Sequence, residues 1–241
     1  MPTASIGLPG GSPIPDLTLH APDGFLTVPV ALAMWLPTVI AVAIAVHRTN
    51  RSLDDRAIPL MGVLAAFIFA AQMVNFPVVA GTSGHLLGGV LAAVLLGPWV
   101  ATLVMTCVIA VQALVFADGG LVVMGANIFN MGLVGTLGGY AVYRLIARLL
   151  GGEDRRRLPA AGVAAWLAVV AGAVTMSLQL ALSGRTVIEV IVPMAGIHAL
   201  IGIGEALITI AALRFIAVTR KDLFSLRDTD HDGATGVTAR A

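Results

Sequence analysis

Residues 75–99 read NFPVVAGTSGHLLGGVLAAVLLGPW. The stretch is apolar and punctuated by glycine, yet it carries His85 where a chain about to enter lipid would ordinarily avoid an ionisable group. Such a residue has a local reading, as a helix cap whose ring is satisfied by a neighbour. It also has a functional one, because an ionisable group at membrane depth marks a path or site for a polar solute. Outward from this stretch the chain keeps the same character: 58% of its 241 residues are hydrophobic and only 11% are charged, with a mean hydropathy of +0.96. That balance lies outside the range of soluble domains and identifies an integral membrane protein.

Apolar spans run over residues 27–46, 57–75, 85–97, 98–117, 121–143, 159–182 and 190–217. With about 20 apolar residues needed per helical crossing, this predicts an all-α bundle of seven transmembrane helices. The third span is short, about 20 Å if helical. Gly97-Pro98 follows it at once, a turn signal that suits a helix start, so spans three and four are expected to form a tight helical hairpin and not a re-entrant loop.

The basic residues test the count. Arg48, Arg51 and Arg56 fall in one loop, Arg144, Arg148, Arg155, Arg156 and Arg157 in a second, and Arg214, Arg220, Lys221, Arg227 and Arg240 in the tail. Seven crossings put all three groups on one side and leave Arg185 as the exception, which places the N-terminus outside and the C-terminus in the cytoplasm. The expected organisation is a disordered or untranslated leader at 1–18, a membrane domain at 19–218 and a disordered cytoplasmic tail at 219–241.

Other classes are disfavoured. The net charge is +1 and the basic residues are scattered over loops, so nucleic acid is not a partner. Cys107 stands alone inside an apolar run, where a packed core thiol is expected. A phosphate-binding loop needs a glycine-rich run ending Gly-Lys-Ser/Thr, and Lys221, the sole lysine, lies between Arg220 and Asp222, so this chain has no nucleotide site of its own.

The predicted topology collects His20, His85, His198, Asn75, Asp118 and Glu189 towards the outer mouth. His20 opens the run HAPDGFL, whose Pro22-Asp23-Gly24 reads as a turn before the first helix. His47 and His231 fall in cytoplasmic polar segments and read as solvated. Two outer histidines suggest a site for nickel, cobalt, copper or zinc, all of which bind neutral imidazole. Two ligands do not complete a set, and no cysteine cluster or HxxE pair supplies the rest.

Four motifs together carry a family resemblance: HAPDGFL from His20, the stretch at 75–99, QALVFADGGLVVMGANIFNMGLVG from Gln112, and HALIGIGEALIT from His198. The chain resembles the substrate-capture subunit of cobalt and nickel energy-coupling-factor transporters, the CbiM/NikM family, from His20 to the end of the last span. The resemblance implies a near-square-planar set of nitrogens: the free amine of the first mature residue, the amide and imidazole of the second, and the histidine of the GTSGH motif. Here these are the amine of Leu19, the amide and imidazole of His20, and the imidazole of His85. A free amine at Leu19 requires it to be the true initiator, read from a TTG or CTG start, or to be exposed by trimming.

The resemblance further implies cobalt(II) or nickel(II) as transported substrate and no enzymatic activity on this chain. It implies a transmembrane coupling subunit, separate ATP-binding subunits, room for a small accessory membrane subunit, and a multi-pass location in the bacterial plasma (inner) membrane, in contact with its lipid. Asp23, Asn75, Thr82, Ser83 and His198 are the residues expected around the ligands. Each has an alternative role as turn former, cap or interhelical hydrogen bond. Gly62, Ala66 and Ala70, at i+4 spacing on the second span, would let the coupling subunit approach closely, or would serve internal packing. Glu205 shares a helix face with His198 and is expected to bond Gln72 or Gln112, or to form part of a coupling element. Two other readings stand beside this one: a stand-alone metal permease, and an intramembrane serine protease built on Gly81-Thr82-Ser83-Gly84 with His198 as base.

Overall fold

The computed structural model describes residues 20–52, 57–77, 83–151, 154–184 and 187–219. The expected leader at 1–18, Leu19, Thr82 and the tail from 220 onward lie outside the described residues.

The elements in order are α1 (Val28–Ser52), α2 (Ala57–Gln72), β1 (Asn75–Pro77), β2 (Ser83–His85), α3 (Gly89–Leu96), α4 (Pro98–Val115), α5 (Met124–Ile128), a π-helix (Phe129–Gly138), α6 (Gly139–Leu149), α7 (Asp154–Leu182) and α8 (Val187–Thr219). α5, the π-helix and α6 join into one helical run, so the described residues contain seven helical runs, as the apolar spans predict. Val28–Arg51, Pro98–Val115, Arg157–Leu182 and Ile191–Thr219 are each long and apolar enough to cross a membrane, and Ala57–Gln72 is a shorter apolar helix. Pro98 opens α4 at its first turn, where its missing N–H costs nothing.

The third expected span, 85–97, is where the structure differs most. Only Gly89–Leu96 is helical, and eight residues rise about 12 Å, well short of the ~30 Å of a hydrocarbon core. α3 does not cross as a helix by itself. Its residues from Gly89 to Leu95 are all buried, so it is a central element wrapped by the others. The backbone before it is extended: β2 pairs antiparallel with β1, with Asn75 opposite His85.

Non-helical backbone at this depth is tolerated only where protein groups replace the missing hydrogen bonds. Glu205 of α8 does so, accepting from the N–H groups of Leu87 at 2.9 Å and Gly88 at 2.7 Å. Gln72 of α2 donates to the Leu87 carbonyl at 3.0 Å. Of the two roles expected for Glu205, the bond to Gln72 or Gln112 is not the one made; the two glutamines bond each other, Gln112 Nε2 donating to Gln72 Oε1 at 3.1 Å.

Small side chains let the helices close round α3. Ala160, Ala161, Ala164, Ala165 and Ala168 of α7 pack with Val90 and Leu91 of α3 and Leu213 of α8. α1 lies at the periphery with Leu32, Leu36, Val39 and Ile40 exposed, and is fixed by Trp35 Nε1 donating to Val122 O at 2.9 Å and Thr38 Oγ1 to Gly125 O at 2.8 Å. On α2, Leu64 and Ile68 face inward while Gly62, Ala66 and Ala70 form an exposed strip. Cys107 is exposed on α4, not packed in the core as expected. A helix that is apolar all round carries no pattern that separates its lipid face from its protein face.

Candidate metal centre

The segment from His20 to Asp23 is held against the turn between α4 and α5. The Asp23 carboxylate accepts from Leu121 N at 3.1 Å, Val122 N at 2.9 Å and Val123 N at 3.2 Å, holding the turn that leads into α5. Ala21 O accepts from Gly120 N at 3.0 Å and from Asn127 Nδ2 at 3.1 Å. A Cβ at Gly120 would collide with both the carboxylate and the backbone of Asp23, so only glycine lets the two strands of chain lie this close.

This docking buries His20 beside Asp118. The His20 amide donates to Asp118 Oδ1 at 3.3 Å, and His20 Nδ1 lies 3.3 Å from Asp118 Oδ2. The backbone amide and Nδ1 of one histidine are the pair that closes a six-membered chelate ring on a metal ion, and here both converge on one carboxylate. Asp118 is itself held, its N–H donating to Gln112 O at 2.9 Å across Ala117, which adopts a left-handed φ of 54°.

β2 brings His85 to the same place. Its ring meets that of His20 edge to face, with centroids 5.0 Å apart and planes at 76°. A carbonyl can only accept, so the 2.8 Å contact between His85 Nδ1 and Leu86 O fixes the proton on Nδ1 and leaves Nε2 with its lone pair. Burial, and next the neighbouring His20 imidazole, push this group down from its ordinary 6.5 to about 3. His85 is neutral at physiological pH, the form that binds metals.

His198 of α8 completes the wall. Its Nδ1 donates to Met194 O at 2.8 Å, and Gly84 packs against its Nε2 and Cε1 so closely that a Cβ there would press on both atoms and on Ile201. The three imidazoles, Ser83, Asn127 and Asn130 line one cavity of about 90 Å³, finished by Met131, Met176 and Met194 among others. At roughly 10–15 Å³ per water this space holds an ion with part of its hydration shell.

Of the expected site residues, the structure gathers His20, His85, Ser83 and His198 on this cavity. Asn75 sits beside His85 across the β1–β2 pair. Asp23 engages backbone amides behind His20. Three polar groups near the site carry roles that the sequence reading left unassigned. Asp118 had been noted only as an outer-mouth polar group. Asn127 holds Ala21, and Asn130 of the π-helix exchanges paired 2.9 Å hydrogen bonds with Gln179 of α7. The available signal was the Asp-Gly-Gly run and two asparagines three residues apart within a glycine-rich apolar helix.

Among the described residues no three His, Cys, Asp or Glu side chains form a complete ligand set. Two imidazoles do stand at a usable separation. Metal–nitrogen bonds of about 2 Å put each ring centroid ~3.2 Å from an ion, and two adjacent ligands at right angles would then be ~4.5 Å apart. The 5.0 Å observed is close to that value.

The family described as the cobalt uptake substrate-specific transmembrane region, CbiM, matches residues 20–223. A protein of Haloquadratum walsbyi provisionally named a metal transport protein is 40% identical over 208 residues, covering 85% of this chain and 93% of that one. A protein of Archaeoglobus fulgidus provisionally named a fused nickel transport protein, NikMN, is 36% identical over 208 residues, covering 85% of this chain and 68% of its own length. The crystal structure of a truncated transition metal transporter superposes with a TM-score of 0.77 at 29% identity, covering 82% of this chain and 98% of that one.

Proposed function

This chain belongs to the CbiM family of cobalt uptake transmembrane regions, and we propose that it is the substrate-capture subunit of an energy-coupling-factor transporter for cobalt(II) or nickel(II). It takes the ion at its outer face and passes it to import driven by ATP hydrolysis on partner subunits. The observation that carries this reading is that His20 N and His20 Nδ1 both face one buried carboxylate, Asp118, while the His85 ring stands 5.0 Å from the His20 ring. A planar nitrogen set suits a tetragonal ion such as nickel(II). On binding, the His20 amide gives up its proton, and Asp118 is the group it already faces at 3.3 Å. The amine of Leu19 is the proposed fourth nitrogen. His198, Ser83 and Asn75 surround the ion, and Asp23 secures the His20 segment from behind.

The exposed strip of Gly62, Ala66 and Ala70 on α2 is the proposed contact for the transmembrane coupling subunit. The fused architecture named for the Archaeoglobus fulgidus relative supports association with other transport components. The clustering of arginines supports a multi-pass arrangement in the plasma membrane with the N-terminus outside and the C-terminus in the cytoplasm.

Nickel(II) titration of the purified chain, carrying its native N-terminus, tests the reading. The unaltered chain is expected to bind one ion, and His20→Ala and His85→Ala are each expected to weaken binding more than 100-fold, beyond the ~10–100-fold of residues that only orient ligands. Mass spectrometry of the native N-terminus tests the amine. Full affinity in a chain that retains Met1, or in either histidine variant, overturns the assignment.

A further inference from the structure

Behind the two histidines runs a buried chain of hydrogen-bonded residues that no ligand of the ion accounts for. It begins at the turn holding His20, where Asp118 N donates to the main-chain carbonyl of Gln112 at 2.9 Å. It continues from Gln112 Nε2 to Gln72 Oε1 at 3.1 Å and from Gln72 Nε2 to Leu87 O at 3.0 Å. It ends where Leu87 N and Gly88 N donate to Glu205 at 2.9 and 2.7 Å, in the extended segment directly after His85. Gln72, Gln112 and Glu205 come from α2, α4 and α8, and all three are almost wholly buried.

We propose that Gln72, Gln112 and Glu205 form a clamp that sets the spacing between the His20 and His85 imidazoles, making them positioning residues for the captured ion. This rests on the metal-capture reading above and assigns it three residues that touch no ion.

Two observations favour positioning over simple cohesion. First, the path joins the two histidine-bearing segments to each other: one end grips the turn under His20, the other grips the backbone two and three residues past His85. Second, it is a costly way to hold a bundle together. Gln112 Oε1 is buried without a hydrogen-bond partner among the described residues, a penalty of the kind that an apolar side chain would avoid. A buried polar network of this sort fixes one arrangement of its surroundings more firmly than apolar packing does. Ligand geometry is where such definition is useful, since a four-nitrogen planar site tolerates little error in the approach of its last imidazole.

The test uses nickel(II) and the chain with its native N-terminus, in detergent. Glu205→Ala removes both acceptors, Glu205→Gln keeps one oxygen, and Gln72→Leu cuts the path at its centre. Nickel affinity is expected to fall in graded order, by about 10-fold for Glu205→Gln and Gln72→Leu and by about 100-fold for Glu205→Ala. At saturating nickel the ligand-field absorption bands of Glu205→Ala are expected to shift, which a loss of stability alone would not produce. Metal-free unfolding is measured in parallel. If Glu205→Ala yields no folded protein, Glu205→Gln and Gln72→Leu decide the matter. Binding within about twofold of the unaltered chain, with unshifted bands in the folded variants, overturns the clamp. Failure of the unaltered chain to bind nickel at all overturns the capture reading instead.

Discussion

His20 and His85, distant in sequence, meet edge to face with their ring centroids 5.0 Å apart, one delivered by the segment before the first helix and the other by a two-stranded ribbon. Neither element is a membrane helix. The bundle acts as a frame, and the two histidines are presented by the irregular chain it encloses.

Asp118 is expected to govern how readily the ion is taken up. In Asp118→Asn the carboxylate facing His20 N and Nδ1 becomes an amide that cannot take the proton the His20 amide gives up. Nickel affinity at neutral pH should fall by about 10–100-fold, measured by titration, with thermal unfolding of the metal-free chain little changed.

Gly120→Ala should detach the His20 segment. The added methyl meets the backbone of Asp23, which cannot yield as a flexible side chain would. Metal binding should be lost while the bundle remains folded, and protease cleavage near residue 24 should increase. Asp23→Ala, which removes both carboxylate oxygens and the three hydrogen bonds they accept but adds no bulk, is expected to be milder, costing about 1–3 kcal/mol.

Nickel should stabilise the fold through this site. At a free concentration 100 times Kd the gain is about 2.7 kcal/mol, read as a rise in unfolding temperature. His85→Ala should show none of that rise at the same nickel concentration.

Acid should weaken the metal-free chain through His85. The unfolded imidazole takes up a proton near pH 6.5, the folded one only near 3. Between those values the unfolded state binds more protons, so the contribution of this residue to stability is complete above pH 6.5 and declines as the pH drops towards 3. The fall in unfolding temperature across that window should be shallower in His85→Asn.

Much of this was legible beforehand. Length, hydropathy and the arginine-rich loops fix the number of helical runs, and the GTSGH and HAPDGFL motifs single out both histidines. What could not be read has physical causes. The extent of α3 was hidden because a segment buried on every side has no amphipathic period, and the extended residues before it are as apolar as a helix would be. Glu205 was recognised as needing a partner, yet its partners are main-chain N–H groups, which leave no mark in the sequence. Asp118 looked like one more polar loop residue until the glycines after it proved to be the surface on which the His20 segment lies.

The wide-turn stretch from Phe129 to Gly138 has its own implication for how this architecture can change. Rewound as an ordinary α-helix with all its residues kept, the run would turn everything on one side relative to the other, by about 100° for each residue that the wide turns now absorb. Asn127 and its hold on Ala21 would then swing out of phase with α6, whose Tyr143 is anchored among the alanines of α7. A substitution that restores ordinary winding in that decade of residues, with no change in length, would therefore unseat the histidine whose cavity Asn130 and Met131 help to line.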